Sequence, residues 1–355
     1  MVQGLPFGVL YSAAGFLAQP CRLGVLLFHY TAMKLLFVAD PLETFKTYKD
    51  TTFAMMREAV QRGHTLSACQ PQHIVWRSGQ PVSAEVQDIT LTGAEKGEPW
   101  FAAGAPRAAA LRDFDAVLMR KDPPFDAEYL YATHLLEQAE REGARVINRA
   151  RALRDHPEKL AVMEFQPFIA PTLVTRQAAA IRAFHAEHGD IIIKPLDGMG
   201  GMGIFRVKGD GLNLGGIIEQ VGNNGATSLM VQKFLPEIAA GDKRVLIIDG
   251  EPVPYALARI PQAGEVRGNL AAGGRGVAQP LTEQDRATAR AIGAVLAPRG
   301  LLLIGLDIIG SHVTEINVTS PTCFQEIEQQ TDCRVSALFM DALECRVRQH
   351  GRANA

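Results

Sequence analysis

From residue 33 onward, short unbroken apolar runs alternate with stretches whose apolar positions recur every three or four residues. Lys34-Leu35-Leu36-Phe37-Val38-Ala39 reads as a strand buried on both faces, because it lacks the polar alternation of a half-exposed one. Thr52–Arg62 places Phe53, Met56 and Val60 on one helical face, with Gly63 past the end. Ala116–Arg120 is a second apolar strand. Asp126 can cap a helix over about residues 127–142, which Gly143 stops, and Val146-Ile147-Asn148 follows as a short strand. This alternation predicts a parallel sheet covered by helices up to about residue 150. The polar, Ala/Gly-rich stretch Thr92–Ala110 reads as a surface insertion.

The pattern changes after Arg154. Asp155-His156-Pro157-Glu158 reads as a helix start with Lys159 in its first turn. A strand at Thr172–Thr175, a helix at Gln177–His188 and a strand at Ile191–Lys194 lead into a glycine loop. A strand at Ile204–Val207, a helix at 213–221 and a strand at 228–233 follow. Arg244–Ile248 and Tyr255–Arg259 then flank Asp249-Gly250, a hairpin turn signal. Pro252 and Pro254 keep part of that second strand out of a central sheet position.

Length and charge narrow the class. At 355 residues the chain is long for one domain, and two or three are expected. A formal net charge of −2 gives no electrostatic footprint for nucleic acid, so any anion must be gripped by local groups. The cysteines, Cys21, Cys69, Cys323, Cys333 and Cys345, are widely spaced and include no CxxC pair. That argues against a disulfide framework or zinc knuckle and fits a reducing, cytoplasmic setting. Residues 1–32 are apolar and Gly/Ala-rich, and neither apolar piece reaches the length of a membrane span. They read as a poorly ordered extension, with a cleaved targeting segment as the alternative.

Gly198-Met199-Gly200-Gly201-Met202-Gly203 matches G-x-G-x-x-G by letters. A dinucleotide fingerprint needs a helix after the loop, so that pyrophosphate meets its N-terminus. Here Ile204-Phe205-Arg206-Val207, a strand, follows, and the dehydrogenase reading fails on context. What remains is a side-chain-poor loop whose N–H groups can approach phosphate oxygens, with Lys194 adding a cation beside it. The bland alternative is a plain glycine-rich turn.

A second constellation lies downstream. Leu301–Ile309 is a buried strand, Gly310-Ser311-His312 turns the chain, and Val313–Val318 returns. A three-residue turn pairs Ile309 with Val313 and sets Asp307 opposite Glu315, with Asn317 on the same face. Two opposed carboxylates destabilise a sheet unless a cation intervenes, and an all-oxygen set suits Mg²⁺. The alternative is that one acid pairs with an arginine, since Arg244, Arg259, Arg267 and Arg275 are available. Ile260 to Gly276 is long, glycine-rich and aperiodic, as lids are. Arg267 and Arg275 within it, with Arg244 and Arg259 before it, form an anion-binding set; a solvated loop with incidental charge is the alternative.

These pieces in this order resemble the ATP-grasp superfamily, and within it bacterial glutathione synthetase. The carrying motifs are MRKDPPFD (119–126), LRDHPEKL (153–160), IIKPLDGMGGMGIFRV (192–207), GDKRVLIIDGEPVPYALARIPQ (241–262), RGNLAAGGRG (267–276) and GLDIIGSHVTEINVTSPT (305–322). The resemblance covers about residues 33–348; residues 1–32 have no counterpart, and Met202 stands where a small residue is usual.

The resemblance implies an α/β chain: an N-terminal Rossmann-like domain (33–152), then a two-lobed ATP-grasp fold of α+β character. Its central lobe would be 153–233 and its C-terminal lobe 234–348, with the lid at 260–276. Lys159 and Lys194 would hold the nucleotide phosphates under Gly198, Gly200 and Gly201, and Gln232-Lys233-Phe234-Leu235 would meet adenine. Asp307, Glu315 and Asn317 would bind Mg²⁺, with Mn²⁺ as an alternative. Arg120, Arg244, Arg259 and Arg267 would serve catalysis, and Arg120, Arg267, Arg275, Ser320, Pro321 and Thr322 the substrate. Cys323, beside them, reads as a packed thiol. The implied activity joins γ-glutamylcysteine to glycine with ATP through an acyl phosphate, in a homo-oligomer with no nucleic-acid or membrane partner. The alternatives are an ATP-grasp ligase joining other amino acids and a nucleotide sensor without catalysis.

Overall fold

The computed structural model describes residues 32–93, 99–265, 267–270 and 273–353. The expectation of a poorly ordered extension at 1–32 lies outside the described residues, except for Ala32.

The first part of the chain builds one sheet from β1 (Lys34–Val38), β2 (Thr65–Cys69), β3 (Ile74–Val75), β4 (Ser83–Leu91), β5 (Phe101–Ala103), β6 (Arg107–Ala110), β7 (Ala116–Met119) and β8 (Val146–Ile147). Its order is β3-β4-β2-β1-β7-β8, parallel through β2, β1, β7 and β8, while β4 is antiparallel to β2 and also takes β5 and β6. The apolar run of β1 is explained by two cores. Leu36 and Val38 face one, and Leu35 and Phe37 face the other. Helix α1 (Thr51–Gln61) covers the second face through Met55, Met56 and Ala59, with Asp50 capping its N-terminus. Val60, expected on the packed face, is exposed. Helix α2 (Ala127–Arg141) covers the first face through Tyr129, Ala132 and Leu136.

Residues 92–110 are not a simple insertion. β5 and β6 extend the sheet by pairing with β4. Alanine-rich strands offer no apolar alternation to read, and backbone hydrogen bonds carry the pairing. Likewise, residues 155–158 do not begin a helix. Asp155 ends α3 (Ala150–Asp155), and Lys159 sits in a buried turn before a 3-10 segment, Ala161–Phe168.

A four-stranded sheet, in the order β11-β10-β12-β9, follows. It contains β9 (Thr172–Thr175), β10 (Ile191–Pro195), β11 (Phe205–Val207) and β12 (Leu229–Lys233), with helices α4 (Ala178–His188) and α5 (Leu214–Val221). Ile181, Ile191, Ile193, Val207 and Ile218 belong to a core of its own.

The last sheet has the order β15-β14-β13-β16-β17. It comprises β13 (Asp242–Ile248), β14 (Glu251–Ile260), β15 (Arg275–Pro280), β16 (Leu303–Ile309) and β17 (His312–Asn317). Helix α6 (Glu283–Leu296) packs on it, and α7 (Phe324–Glu328) and α8 (Val335–Ala353) complete the chain. Asp249 (φ 50°) and Gly250 (φ 87°) make the expected tight turn. β14 is an inner strand, yet its proline end is tolerated. β15 reaches only from Tyr255 to Ile260, and the β13 register shifts between Val245 and Ile247. Asn148, after β8, ties the first sheet to the last. Its side chain accepts from Leu303 N at 3.0 Å and donates to Leu303 O and Val318 O at 2.8 and 2.9 Å. No helix among the described residues is long and apolar enough to cross a membrane.

Candidate active site

A cavity of about 450 Å³ opens where the three sheets meet. Its lining joins the glycine loop, the buried Lys159 and Lys194, the acidic hairpin, three arginines and the end of β12. β10 and β11 are antiparallel, Ile193 opposite Phe205, so the glycine loop joins two strands as the sequence implied. Gly201 holds φ +85°, and a Cβ there would lie 2.7 Å from Asn269 Oδ1 in the 260–276 loop. Gly268 of that loop rests on the cavity floor, where a Cβ would meet the Arg259 carbonyl and come within 3.1 Å of Asp242 Cβ.

Both lysines are buried. Lys159 donates to Gly198 O at 2.6 Å and pairs with Glu315 Oε1 at 3.2 Å. Lys194 donates to Thr314 O at 3.2 Å, and burial draws its pKa down. Two cations on one wall suit a polyanion. Gly198, Gly200 and Gly201 line the same wall.

Gln232, Lys233, Phe234 and Leu235 all line the cavity. Gln232 donates to Thr172 Oγ1 at 3.2 Å. The Arg206 guanidinium lies 3.6 Å from the Phe234 ring centroid and also pairs with Asp190, whose carbonyl accepts from Phe234 N at 2.9 Å.

In the hairpin, Asp307 stands opposite Glu315 and Gly305 opposite Asn317. The expected pairing is present, but by another route. Gly310-Ser311 form a two-residue turn that pairs Ile309 with His312, and a register shift between Asp307 and Ile308 restores the acidic pair. A Cβ-free residue with φ +59° at Gly310 permits the tighter turn. Both acids already meet protein cations. Arg244 Nε donates to Asp307 Oδ1 at 2.6 Å, and Arg259 lies 2.9 Å from Oδ2. Burial opposes ionisation of Asp307, yet the two guanidiniums outweigh it and hold its carboxyl far below the usual range. The arginine alternative therefore describes Asp307 here. The set still fits a divalent cation. It offers oxygen donors alone, and Asn317 Nδ2 donates to Gly305 O at 3.3 Å, leaving its amide oxygen as the free acceptor.

Sequence reasoning missed Asp242. It lines the cavity, pairs with Arg259 at 2.5 Å, and its Oδ1 is buried without a partner. Burial raises its pKa to about 6, with Arg259 opposing and Asp307 adding to the rise. The signal was present, since Asp242 and Arg244 lie two apart on β13 and share a face. Glu158 was missed too; its buried carboxylate accepts from Thr319 Oγ1 at 2.6 Å.

Not every expected residue converges. Arg267, Ser320 and Thr322 line the cavity. Arg275 is exposed at the start of β15, outside the lining, because strand pairing with Ile260 fixes it away from the floor. Pro321 contributes only its carbonyl, which accepts from Arg120. Arg120 lines a smaller adjoining cavity of about 340 Å³ instead of the main one, because β7 ends there.

Comparison with known proteins places the chain in a family. The family model described as prokaryotic glutathione synthetase, N-terminal domain, matches residues 33–154, and its ATP-grasp counterpart matches 158–332. A glutathione synthetase of Ralstonia nicotianae is 59% identical over 312 residues, covering 88% of this chain and 95% of its own. One from Nitrosomonas europaea is 53% identical over 321 residues, covering 90% of this chain and 100% of its own. Among solved structures, a D-cycloserine synthetase aligns with a TM-score of 0.63 at 17% identity, over 88% of this chain and 99% of its own. A RimK-domain ATP-grasp protein from Sphaerobacter thermophilus aligns with a TM-score of 0.56 at 18% identity, over 87% of this chain and 98% of its own. At such identities the structural matches speak to the fold.

Proposed function

The chain belongs to the prokaryotic glutathione synthetase family, and from that premise we propose how its cavity makes an amide bond. It is an ATP-dependent ligase that joins γ-glutamylcysteine to glycine and releases ADP and phosphate. The observation that carries the residue assignments is the meeting of Lys159, Lys194, the glycine loop and the Asp307–Glu315–Asn317 face in one cavity.

The end of β12 receives adenine, and Arg206 fixes Phe234 there. Lys159, Lys194 and the amides around Gly200 and Gly201 cradle the phosphates. Asp307, Glu315 and Asn317 would hold a divalent metal, Mg²⁺ or Mn²⁺, because the donors are hard oxygens. Such an ion, when bound, neutralises charge on the transferring phosphoryl group. The cysteinyl carboxylate arrives beside Arg244, Arg259 and Arg267, which orient it toward the γ-phosphate. The acyl phosphate so formed is labile in water, and the 260–276 loop, seated on Asp242 and Arg259, excludes solvent while the glycine amine attacks. Phosphate leaves as the amide forms.

In domain terms, 33–152 is the N-terminal domain, and 153–233 and 234–348 are the two lobes that close on ATP. Cytoplasmic residence and self-association complete the proposal. The first rests on widely spaced cysteines without a CxxC pair, and sedimentation velocity decides the second. A panel of amino-acid and dipeptide pairs, followed by ADP release, tests the activity. Turnover is expected with γ-glutamylcysteine plus glycine, and none with that pair would overturn the reading.

A further inference from the structure

Glu158 stands in the turn between α3 and the 3-10 segment, one residue before Lys159, and lines the main cavity. Its carboxyl Oε1 accepts from Thr319 Oγ1 at 2.6 Å and from Thr319 N at 3.3 Å. Its backbone carbonyl accepts from Ile316 N at 3.0 Å. Among the described residues no lysine or arginine pairs with its carboxylate; Lys159, next in the chain, turns to Glu315 instead. Burial pushes the Glu158 pKa up, and the Glu315 charge adds to the rise. An enclosed carboxylate without a counter-ion is a poor source of stability. Its contacts point to a different use.

β17 is the last strand of its sheet, and one side of its backbone has no strand beside it. Groups from elsewhere in the chain take that side. Lys194 Nζ donates to Thr314 O at 3.2 Å, and two residues on, Ile316 N donates to Glu158 O. Ile316 and Thr319 bracket Asn317, one of the three proposed metal ligands. Glu315, another, precedes Ile316 and meets Lys159 Nζ at 3.2 Å. Lys159 also donates to Gly198 O at 2.6 Å. Two consecutive residues thus bind the glycine loop, both flanks of the metal-binding end of β17, and the start of the turn that brings Ser320 and Thr322 to the cavity. The carbonyl grip on Ile316 belongs to the backbone. The grip on Thr319 depends on the Glu158 side chain alone.

We propose that Glu158 is a positioning residue. Its carboxyl locks Thr319 and so holds Asn317 and the 319–322 turn at a fixed distance from Lys159. The cation site and the phosphate cradle then form as one unit, without Glu158 touching the reacting atoms. The proposal rests on the ligase reading above and deepens it.

The test measures Mn²⁺ binding to the full-length protein, with and without ADP, from the free-ion electron paramagnetic resonance signal, beside kcat and the KM for ATP. Glu158→Ala should weaken Mn²⁺ binding by about tenfold and raise the KM for ATP by a similar factor. Glu158→Gln keeps an oxygen for Thr319 and should stay within about threefold of wild type in both. A glutamine variant as damaged as the alanine one means that the charge itself acts, as a ligand or a base, and overturns the proposal. A lower melting temperature in Glu158→Ala with unchanged Mn²⁺ affinity and KM makes the contact merely structural and overturns it too. Thr319→Val, which removes the hydroxyl donor, should also weaken Mn²⁺ binding, and the double variant should be no worse than Glu158→Ala. Additive losses, or a Thr319→Val variant of wild-type affinity, refute the link. Should Glu158→Ala fail to fold, Thr319→Val and Glu158→Gln carry the comparison. A wild type that binds no Mn²⁺ in either condition overturns the proposal and leaves the ligase reading to the substrate panel. A wild type inert toward γ-glutamylcysteine plus glycine overturns the ligase reading, and the Mn²⁺ comparison still decides the role of Glu158.

Discussion

Arg244 and Asp307 are registered partners on neighbouring strands, and their side chains close the same gap, with Nε 2.6 Å from Oδ1. Arg259 approaches the other carboxylate oxygen at 2.9 Å, so one buried acid holds two buried guanidiniums. Removing the acid therefore differs from removing one base. Asp307→Ala strands Arg244 and leaves Arg259 with Asp242 alone, and should cost about 3–5 kcal/mol. Arg244→Met leaves Asp307 with Arg259 and should cost less. Urea melts of the two variants decide this, and equal midpoints would contradict the cluster's energetics.

Metal affinity should follow the hairpin. Glu315→Gln removes one charged oxygen of the proposed set and should weaken Mn²⁺ binding, read from the free-ion electron paramagnetic resonance signal, by about tenfold or more. Chelation with EDTA should abolish turnover, and Mg²⁺ should restore it.

Contact between the glycine loop and the lid can be probed by one methyl group. Gly201→Ala places a Cβ 2.7 Å from Asn269 Oδ1 at a backbone φ of +85°. Both atoms lie in loops, so melting should shift little, while kcat should fall by about tenfold or more as closure is obstructed. A variant of unchanged kcat would remove the lid from the mechanism.

Asp242 gives a stability signature in pH. Its pKa rises in the folded state from 3.8 to about 6, first through burial. The folded protein thus binds the proton more tightly than the unfolded chain. The contribution is fully present below the unfolded value and is lost as pH rises through about 6. Relative to Asp242→Asn, the wild type should therefore lose melting temperature between pH 4.5 and 7.5. A pH-independent difference between the two would refute the assignment.

Arg206 should matter to nucleotide alone. Substituting methionine removes the guanidinium 3.6 Å from the Phe234 ring centroid, and about 1 kcal/mol of positioning corresponds to roughly fivefold weaker ADP binding by calorimetry. The KM for the dipeptide should not move.

Much of the site is legible from periodicity and motif order, and the gaps have physical causes. The strand after Gly203 separates the glycine loop from a dinucleotide motif, and β11 lies where that argument needs it. The Asp307–Glu315 pair follows from alternation along two strands, but the two-residue turn and the register shift offset each other and are invisible in the letters. β5 and β6 escape notice because alanine carries no pattern. Arg120 and Arg275 both read as substrate arginines, and only the strand ends show that one borders the smaller cavity and the other faces outward. Asp242 is hidden because only the alternation along β13 puts it on one face with Arg244.

The link through Asn148 also sets an order of assembly. During synthesis, residues up to Asn148 are made well before Leu303 and Val318, whose backbones its side chain binds. The first face of the N-terminal sheet shares its core with Ile304, Leu306 and Val318 as well. A ribosome carrying the first half of this chain therefore holds a sheet whose first face is packed by α2 but still lacks the part of its apolar cover that the last sheet supplies, open to chaperones or to neighbouring nascent chains. The part of the protein that is translated first is completed only when nearly all of the rest has emerged.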